Sequence, residues 1–366
     1  MSGAVAAVPA PPLLAVADLA VSYRAKRGPR AGRHIRAVDG VSFSLGTGEI
    51  LALVGESGCG KTSIVRAVAR LEPLAGGRVL FQGGSAGDAR GQALRRLRRD
   101  IQVVFQDPFE SLDPRLTAFD TVAESLLVHR LGGPRPARRD RVLAMLELVG
   151  LHPAAAIARR YPHQLSGGER QRLVIAGAMV LEPKLLIADE PVSMLDVSLR
   201  AGILRLMLDL RDTRGVSILF VTHDLSLAWV IADRVAVVYL GRIVEIGAAD
   251  DVIRAPLHPY TQALVSVIPV PEARGRRERI LLRGEAPSAS RIPAGCRFHP
   301  RCPLYRNLGE PERCRTEDPM LTGTAAGAVG LTRASLGGYP KPGDSPDGAR
   351  PPVQHAVACH FAKEKA

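Results

Sequence analysis

Short apolar or β-branched runs recur along the chain, and helix-length stretches lie between several of them. Runs of this length, bounded by polar residues, are typical of buried strands. The runs that we predict as strands are residues 50–54, 79–82, 102–105, 185–188 and 217–221. Because strands that alternate with helices usually form parallel sheets, the pattern predicts an α/β fold with helices covering a largely parallel sheet.

Three later regions depart from this alternation. Residues from about 117 to 160 contain amphipathic runs and few strand signals, which predicts a helical insertion and a second lobe. Apolar residues 234–239 and 242–246 flank Leu240-Gly241, which predicts a β-hairpin. Residues 270–292 mix proline and arginine as linkers do, and residues 321–352 are rich in Gly, Pro, Ala and Ser, which predicts a flexible loop.

Composition and charge narrow the class of protein only slightly. The 366 residues are 46% hydrophobic and 4% aromatic, which suits an Ala- and Val-rich globular core of one large or two ordinary domains. A formal charge of +13 fits a nucleic-acid partner, an anionic membrane surface or simply an arginine-rich composition. The charge alone therefore does not choose among these partners.

The sequence also indicates where the chain works. It contains no uninterrupted apolar run of about 18 or more residues, so we do not expect it to span a bilayer by itself. Residues 1–20 are apolar but lack a basic start and are broken by three prolines, which argues against a signal peptide. We expect a cytosolic chain whose five cysteines are reduced thiols or metal ligands rather than disulfides.

A glycine-rich loop follows the first predicted strand. Its residues, which fit the pattern G-x-x-x-x-G-K-S/T, are Gly55, Glu56, Ser57, Gly58, Cys59, Gly60, Lys61 and Thr62. A helix-competent run begins at Ser63, so backbone amides and a helix N-terminus can surround a phosphate, and we include Ser63 in the nucleotide site. We expect Lys61 to reach the β- and γ-phosphate oxygens, Thr62 to bind Mg²⁺, and Cys59 to be a small filler. An ordinary glycine-rich turn is the alternative.

Two carboxylates, Asp189 and Glu190, directly follow the apolar run 185–188. Ligands of α/β sheets usually bind at the carboxyl ends of strands. We expect Asp189 to help hold Mg²⁺ and Glu190 to orient or deprotonate the attacking water in a phosphoryl transfer. Taken alone, such a pair is as often a solvated turn or a helix start.

Residues 165–171, Leu-Ser-Gly-Gly-Glu-Arg-Gln, resemble the signature of ATP-binding cassette (ABC) transporters. From the residues alone, this segment is a helix start with Ser166 as the N-cap and an anion site in its Ser-Gly-Gly turn. The resemblance implies that Ser166, Gly167 and Gly168 contact the γ-phosphate of ATP held by an opposite subunit. The sequence has Glu169 where the family often has Gln.

Other segments resemble further cassette motifs in the family's order. Gln106 matches the Q-loop, residues 193–196 match the D-loop, and His223 matches the H-loop. The resemblance implies that Gln106 and His223 act with Glu190 in hydrolysis, that Gln106 is also a Mg²⁺ ligand, and that Tyr23 stacks on adenine. Taken alone, each of these residues is more often structural.

The resemblance also implies a fold and its boundaries. We expect a P-loop NTPase of the ABC cassette type over residues 13–255, with a RecA-like core, an antiparallel β part and a helical subdomain at about 107–165. A disordered segment, 1–12, precedes it. A cysteine-containing extension follows over residues 256–366, with the flexible loop inside it.

Four segments narrow the family to the ATPase subunits of dipeptide and oligopeptide importers, which they resemble. They are residues 104–108 (VFQDP), 112–115 (LDPR), 258–261 (HPYT) and 295–303 (GCRFHPRCP). The resemblance implies a peripheral protein at the cytoplasmic face of the membrane, with ATP and Mg²⁺, a second and different ATPase subunit, two permease subunits and an extracytoplasmic solute-binding protein. No nucleic acid is expected. Relatives also carry nickel or glutathione, so the solute stays open, as does a homodimer of ATPases.

The resemblance further places the apolar residues Phe109 and Leu112 at the groove that receives the permease. A charge at either position is therefore expected to uncouple transport while ATP binding persists. Loss of both activities would instead indicate damage to the core.

Four cysteines in the extension are candidate metal ligands: Cys296, Cys302, Cys314 and Cys359. Their spacing differs from the compact C-x-x-C pairs of zinc ribbons. Four thiolates still suffice for a 4Fe-4S iron–sulfur cluster or for Zn²⁺, and resemblance to some peptide-importer ATPases favours the cluster. Reduced thiols without metal are the third alternative.

Two other functions remain as alternatives. A soluble ABC ATPase acting on ribosomes or nucleic acid would use the basic charge, but such proteins usually carry two cassettes and the sequence has one set of motifs. A non-catalytic regulator built on the cassette would not need Glu190 and His223.

Overall fold

The computed structural model describes residues 11–24, 34–268, 278–285, 287–323 and 355–362. Residues 1–10 of the predicted disordered N terminus and nearly all of the predicted flexible loop lie outside these residues. The strands are β1 (Leu14–Arg24), β2 (His34–Leu45), β3 (Ile50–Val54), β4 (Gly76–Phe81), β5 (Gly84–Ser85), β6 (Ile101–Val104), β7 (Leu185–Asp189), β8 (Ser217–Thr222), β9 (Arg234–Tyr239), β10 (Arg242–Ala248), β11 (Thr322–Gly323) and β12 (Ala356–Val357). All five runs predicted as strands are strands, with ends that differ by up to three residues.

The helices connect these strands. They are α1 (Lys61–Val68), α2 (Gly91–Asp100), α3 (Pro108–Ser111), α4 (Ala118–Val128), α5 (Arg135–Leu148), α6 (Ala154–Ile157), α7 (Gly167–Met179), α8 (Val197–Arg214), α9 (Leu225–Ile231), α10 (Ala249–Arg254), α11 (Pro259–Ser266), α12 (Pro303–Asn307) and α13 (Glu312–Thr316). Among the described parts of the chain, no helix combines the length and apolar composition that crossing a membrane requires.

The chain forms two compact units. The first consists of Met1–Gly46, Ile50–Gly87 and Thr222–Ala366, and the second of Thr47–Glu49 and Asp88–Val221. The boundaries predicted at residues 12 and 255 stay predictions.

The first unit contains an antiparallel set of strands in the order β2-β1-β4-β5 and a second set in the order β11-β12-β10-β9-β3. Strands β3 and β9 are parallel and buried along their whole length, which explains their continuous apolar sequences. Strands β9 and β10 form the predicted hairpin. Its two loop residues, Leu240 and Gly241, both have positive φ, as a type I′ turn requires.

The second unit contains three parallel strands in the order β8-β7-β6 together with a helical part. Residues 117–160, which are all described, contain α4, α5 and α6 and no strand, so the predicted helical insertion is confirmed. Helix α4 packs on α5 and α7, and it buries Val122 and Leu126. Thr117 caps α4 by accepting a hydrogen bond from the Asp120 amide at 3.2 Å.

The C-terminal extension belongs to the first unit. After α11, residues 299–301 form a single 3-10 turn, and α12 and α13 follow. Strand β12 pairs antiparallel with β10, and the Ala358 amide donates to the Val244 carbonyl at 2.8 Å. The extension is therefore bonded into the same sheet as the β9–β10 hairpin.

Candidate functional site

The phosphate loop connects the buried strand β3 to helix α1, as its sequence predicts. Lys61 begins α1 and is 5% exposed. Its ammonium donates to the carbonyls of Gly55 at 2.7 Å and Glu56 at 3.0 Å. These contacts hold a positive charge against the loop backbone, where an incoming phosphate would meet it together with the amides of the α1 N-terminus.

Two glycines of this loop are fixed by close backbone contacts. A Cβ atom at Gly55 would lie 2.2 Å from the Val238 carbonyl oxygen. Gly60 has a φ of 108°, and a Cβ atom there would lie 2.4 Å from the Ala37 carbonyl oxygen. Any larger residue at either position would have to displace backbone, so the loop path depends on these glycines.

Further residues of the predicted nucleotide site belong to the first unit. The Tyr23 hydroxyl donates to the Ser63 hydroxyl at 3.2 Å, which links β1 to the first turn of α1. Cys59 is buried, as expected of a small filler, and burial raises the pKa of its thiol. His223 follows directly after β8 and is exposed.

The second unit brings Glu190 and Gln106 together. Parallel pairing sets Val104 of β6 beside Ala188 of β7, and Gln106 and Glu190 each lie two positions after one of these paired residues. The Gln106 amide nitrogen donates to the Glu190 carboxylate at 3.1 Å. Asp189, the last residue of β7, is 4% exposed.

The backbone of Glu190 is in an unusual conformation. Its φ is 48°, in the left-handed region that residues other than glycine rarely adopt. Its amide donates to the Val221 carbonyl at 2.9 Å, and the Ser193 hydroxyl donates to the Glu190 carbonyl at 3.0 Å. Strained backbone held in this way is a feature of preorganised functional sites.

The signature segment forms the N-terminus of α7. Ser166 is the predicted N-cap: its hydroxyl accepts from the Glu169 amide at 3.3 Å, and its own amide donates to the Glu169 carboxylate at 2.8 Å. This is a complete capping box. The hydrogen bond from the Ser166 amide is the main cause of a lowered Glu169 pKa. Glu169, the departure from the family's Gln, therefore caps the helix.

The groove residues have a different outcome. Leu112 is 6% exposed, so a charge there would disrupt packing in this chain and would not act on a docking surface alone. The expectation that charging Leu112 uncouples transport and spares ATP binding stays a prediction, and the burial of Leu112 makes damage to the core the competing outcome to test. The side chain of Phe109 lies outside the described residues.

All five cysteines are free thiols, and the four of the extension lie around one small cavity. The cavity has a volume of about 10 Å³, enough for about one water molecule. Burial raises the pKa of Cys296 to about 12, and that of Cys302 and Cys359 to about 11. Within the described ranges, no three His, Cys, Asp or Glu side chains form a group that could hold a metal ion.

Sequence reasoning assigned no role to two residues that contact the phosphate loop. Arg301 forms an ion pair with Glu56 at 2.9 Å, and the Tyr260 hydroxyl accepts a hydrogen bond from the Glu56 amide at 2.9 Å. Both belong to segments 258–261 and 295–303, whose sequences indicated only the resemblance to peptide-importer ATPases.

Two family models match the chain. The model described as "ABC transporter" matches residues 38–193, and the model described as "Oligopeptide/dipeptide transporter, C-terminal region" matches residues 244–307. The first match includes the phosphate loop, the signature and Glu190. The second includes two of the narrowing segments and two of the four extension cysteines.

Curated relatives match most of the chain. The chain is 48% identical over 277 residues to the oligopeptide transport ATP-binding protein AppF of Bacillus subtilis, which covers 75% of this chain and 83% of AppF. It is 44% identical over 323 residues to the oligopeptide transport ATP-binding protein OppF of Salmonella typhimurium, which covers 87% of this chain and 95% of OppF.

Solved structures share the cassette fold. The protein cbiO1 from Clostridium perfringens, part of an ABC transporter complex, matches with a TM-score of 0.59 at 28% identity, over 67% of this chain and 92% of that one. The ATP-binding cassette MJ0796, solved as a dimer with ADP and Pi, matches with a TM-score of 0.57 at 28% identity, over 64% of this chain and 98% of that one.

Proposed function

This chain belongs to the ATP-binding subunits of oligopeptide ABC transporters, and on that premise we propose that it hydrolyses ATP to drive the import of oligopeptides or dipeptides through a membrane permease. One observation carries the proposal: a cassette match and an oligopeptide/dipeptide transporter C-terminal match follow each other in one chain. Relatives named as oligopeptide transport ATP-binding proteins support it. The alternative of a soluble ATPase on ribosomes or nucleic acid has no such support.

The phosphate loop supplies the binding of ATP. Lys61 already directs its ammonium at the loop backbone, so it is placed to exchange carbonyl contacts for phosphate oxygens. The remaining loop residues and Ser63 present amides and hydroxyls, and Tyr23 provides an aromatic face for adenine. Together they bind and orient the substrate.

We assign hydrolysis to the Glu190 carboxylate of the second unit, with Gln106 and His223 assisting it. Glu190 orients the attacking water and accepts its proton, and Gln106, at 3.1 Å, holds that carboxylate. His223 is proposed to contact the γ-phosphate. Phosphoryl transfer depends mainly on such positioning and charge stabilisation, which suits a carboxylate fixed by a constrained backbone.

Magnesium is the expected metal of this reaction. Oxygen donors, which Mg²⁺ prefers, are available on Thr62, Gln106 and Asp189. When bound, Mg²⁺ neutralises charge on the phosphate oxygens. The side chains' own contribution is to hold those oxygens at fixed positions.

The signature loop is proposed to act on a different nucleotide. Ser166, Gly167 and Gly168 begin α7, a 13-residue helix whose N-terminus favours anions. We assign it to the γ-phosphate of ATP on a partner ATPase subunit, a different chain by preference. Two permeases and an extracytoplasmic solute-binding protein complete the proposed assembly, with this subunit peripheral on the cytoplasmic face.

The four extension cysteines supply the donor type of a thiolate-bound metal, and a 4Fe-4S cluster ahead of Zn²⁺ stays our proposal for them, although the described residues do not group as a metal site in the structure. They line one cavity, where burial raises the pKa values of Cys296, Cys302 and Cys359 and favours neutral thiols in the absence of a metal. A bound metal would cross-link four segments of the extension. Iron, sulfide and zinc analysis of anaerobically purified protein tests this, because colourless protein with about one zinc excludes the cluster.

The deciding experiment for transport uses Glu190→Gln. We expect the wild type, purified from native membranes, to bring down two permeases and a second ATPase, and the variant to bring down the same subunits. The variant should lose hydrolysis by about a hundredfold or more while still binding ATP. Recovery of ribosomal proteins or nucleic acid without a permease would refute the transport function.

A further inference from the structure

Two segments of the C-terminal extension meet at one residue of the phosphate loop, Glu56. Arg301 donates two hydrogen bonds to its carboxylate, one from each terminal nitrogen, at 2.9 and 3.2 Å. Tyr260 accepts the Glu56 amide hydrogen at 2.9 Å. The side chain of Arg301 is 9% exposed and that of Glu56 is 31% exposed, so this is a half-buried, bidentate ion pair and not a loose surface contact.

Neighbouring residues of the same segment anchor the extension to the β9–β10 hairpin. The ring of Phe298 lies 5.2 Å from Tyr239 and 5.4 Å from Tyr260, centroid to centroid. Arg297 donates to the Leu240 carbonyl at 2.6 Å and also pairs with Asp39. The extension is therefore fixed to the hairpin that lies behind the loop, and it can hold Glu56 in one position.

A carboxylate in a phosphate-binding loop has a direct electrostatic cost. ATP brings several negative charges to the loop, and an uncompensated Glu56 charge on the same loop would repel them. Arg301 supplies the compensating positive charge. Its planar fork also restricts Glu56 more tightly than a single point charge could.

We propose that Arg301 is a positioning residue for ATP binding, which neutralises and orients Glu56 so that the C-terminal extension sets the nucleotide affinity of the phosphate loop. This inference rests on the proposed ATPase function. The proposal assigns a function to segments 258–261 and 295–303, which take no part in the proposed hydrolysis. Phe298 lines the cysteine cavity and also belongs to the aromatic cluster, so the two features of the extension share a side chain.

The test is a double-mutant cycle in the full-length chain. Binding of a non-hydrolysable ATP analogue, KM and kcat for ATP, and Tm are measured for Arg301→Met, Arg301→Lys, Glu56→Gln and the double variant Glu56→Gln/Arg301→Met. Arg306→Met is the matched control, because Arg306 is an exposed arginine of the same extension whose side chain donates to the Pro300 carbonyl and not to the phosphate loop.

We expect Arg301→Met to weaken binding and raise KM about tenfold, with kcat changed less than about twofold, because an unpaired carboxylate then faces the phosphates. Arg301→Lys should lie between this variant and the wild type, and Arg306→Met should match the wild type. The double variant should recover most of the lost affinity, because it removes the repelling charge. A purely structural arginine would give a double variant at least as weak as Arg301→Met.

Two outcomes would overturn the proposal: unchanged binding in Arg301→Met, or a double variant that recovers nothing. If Arg301→Met is unfolded at the assay temperature, Arg301→Gln, which also removes the charge, provides the same comparison with and without Glu56→Gln. A wild-type chain that neither binds nor hydrolyses ATP would refute the proposed function instead. An active wild type with an indifferent Arg301 would refute this inference alone.

Discussion

His258 offers a prediction whose size follows from its surroundings. The residue is 1% exposed, its ring nitrogen accepts the Tyr260 amide hydrogen at 3.1 Å, and its own amide donates to the Glu245 carboxylate at 2.9 Å. Burial lowers the pKa of the imidazole to about 4, although the Glu245 charge acts in the opposite direction. The folded protein thus keeps His258 neutral at pH values where an unfolded chain would protonate it.

The sign of the effect on stability follows from this difference. The ordinary pKa is 6.5, so between about pH 6.5 and 4 the unfolded chain binds a proton that the folded chain does not. Stability from this residue is therefore complete above pH 6.5 and falls as the pH drops. At about 1.4 kcal/mol per pH unit, the free energy of unfolding should lose about 2 kcal/mol by pH 5 and about 3 kcal/mol by pH 4.

The assay compares the wild type with His258→Asn by urea unfolding at pH 7.5, 6 and 5. Asparagine can accept the Tyr260 amide hydrogen at this N-cap position but does not titrate. Its stability at pH 7.5 is expected to be lower, because it fills the site less well, but its loss between pH 7.5 and 5 should be smaller by about 2 kcal/mol. Other titrating groups contribute equally to both proteins. Parallel pH profiles would therefore refute the argument.

Two further predictions concern the loop and the signature helix. Replacing Glu169 with Gln should change the free energy of unfolding by less than about 0.5 kcal/mol, because Gln also completes the capping box. Glu169→Ala should lower it by about 1 kcal/mol in thermal or urea unfolding, and equal losses in the two variants would argue against the cap. Gly55→Ala should lower the free energy of unfolding by about 2 kcal/mol or more and weaken ATP binding at least about tenfold, because its Cβ would meet the Val238 carbonyl. The control Gly84→Ala, whose Cβ would have its nearest neighbour at 3.5 Å, should bind ATP normally.

Local sequence pattern predicted the fully buried strands well and the long antiparallel strand β1 poorly. Strands β3, β7 and β8 are buried along their whole length, and their unbroken apolar runs carry that information. Strand β1 was not predicted by pattern, because its pairing with β2 shifts register between Val16 and Leu19, between Leu19 and Ala20, and again after Val21. Each shift interrupts the alternation on which the prediction depends.

The candidate site shows the same division. The contact of Gln106 with Glu190 follows from two parallel strands that end side by side, which the sequence could indicate. The contact of Arg301 with Glu56 joins residues 245 positions apart. No local spacing encodes that pair, because it depends on how the extension folds back onto the loop. The sequence alone therefore indicated no function for the two segments that contain Tyr260 and Arg301.

Strand β12 has a consequence for how the protein is made. Residues 356–357 pair with Glu245 and Ile246 of β10, and His355 also bonds the buried Glu245 carboxylate at 2.7 Å. A ribosome synthesises β10 about a hundred residues before β12, so this side of β10 lacks its partner during most of the intervening translation. An unpaired strand side invites association with other chains. Nascent chains stalled or truncated before residue 355 should therefore need chaperones or aggregate, even though every cassette motif has already emerged.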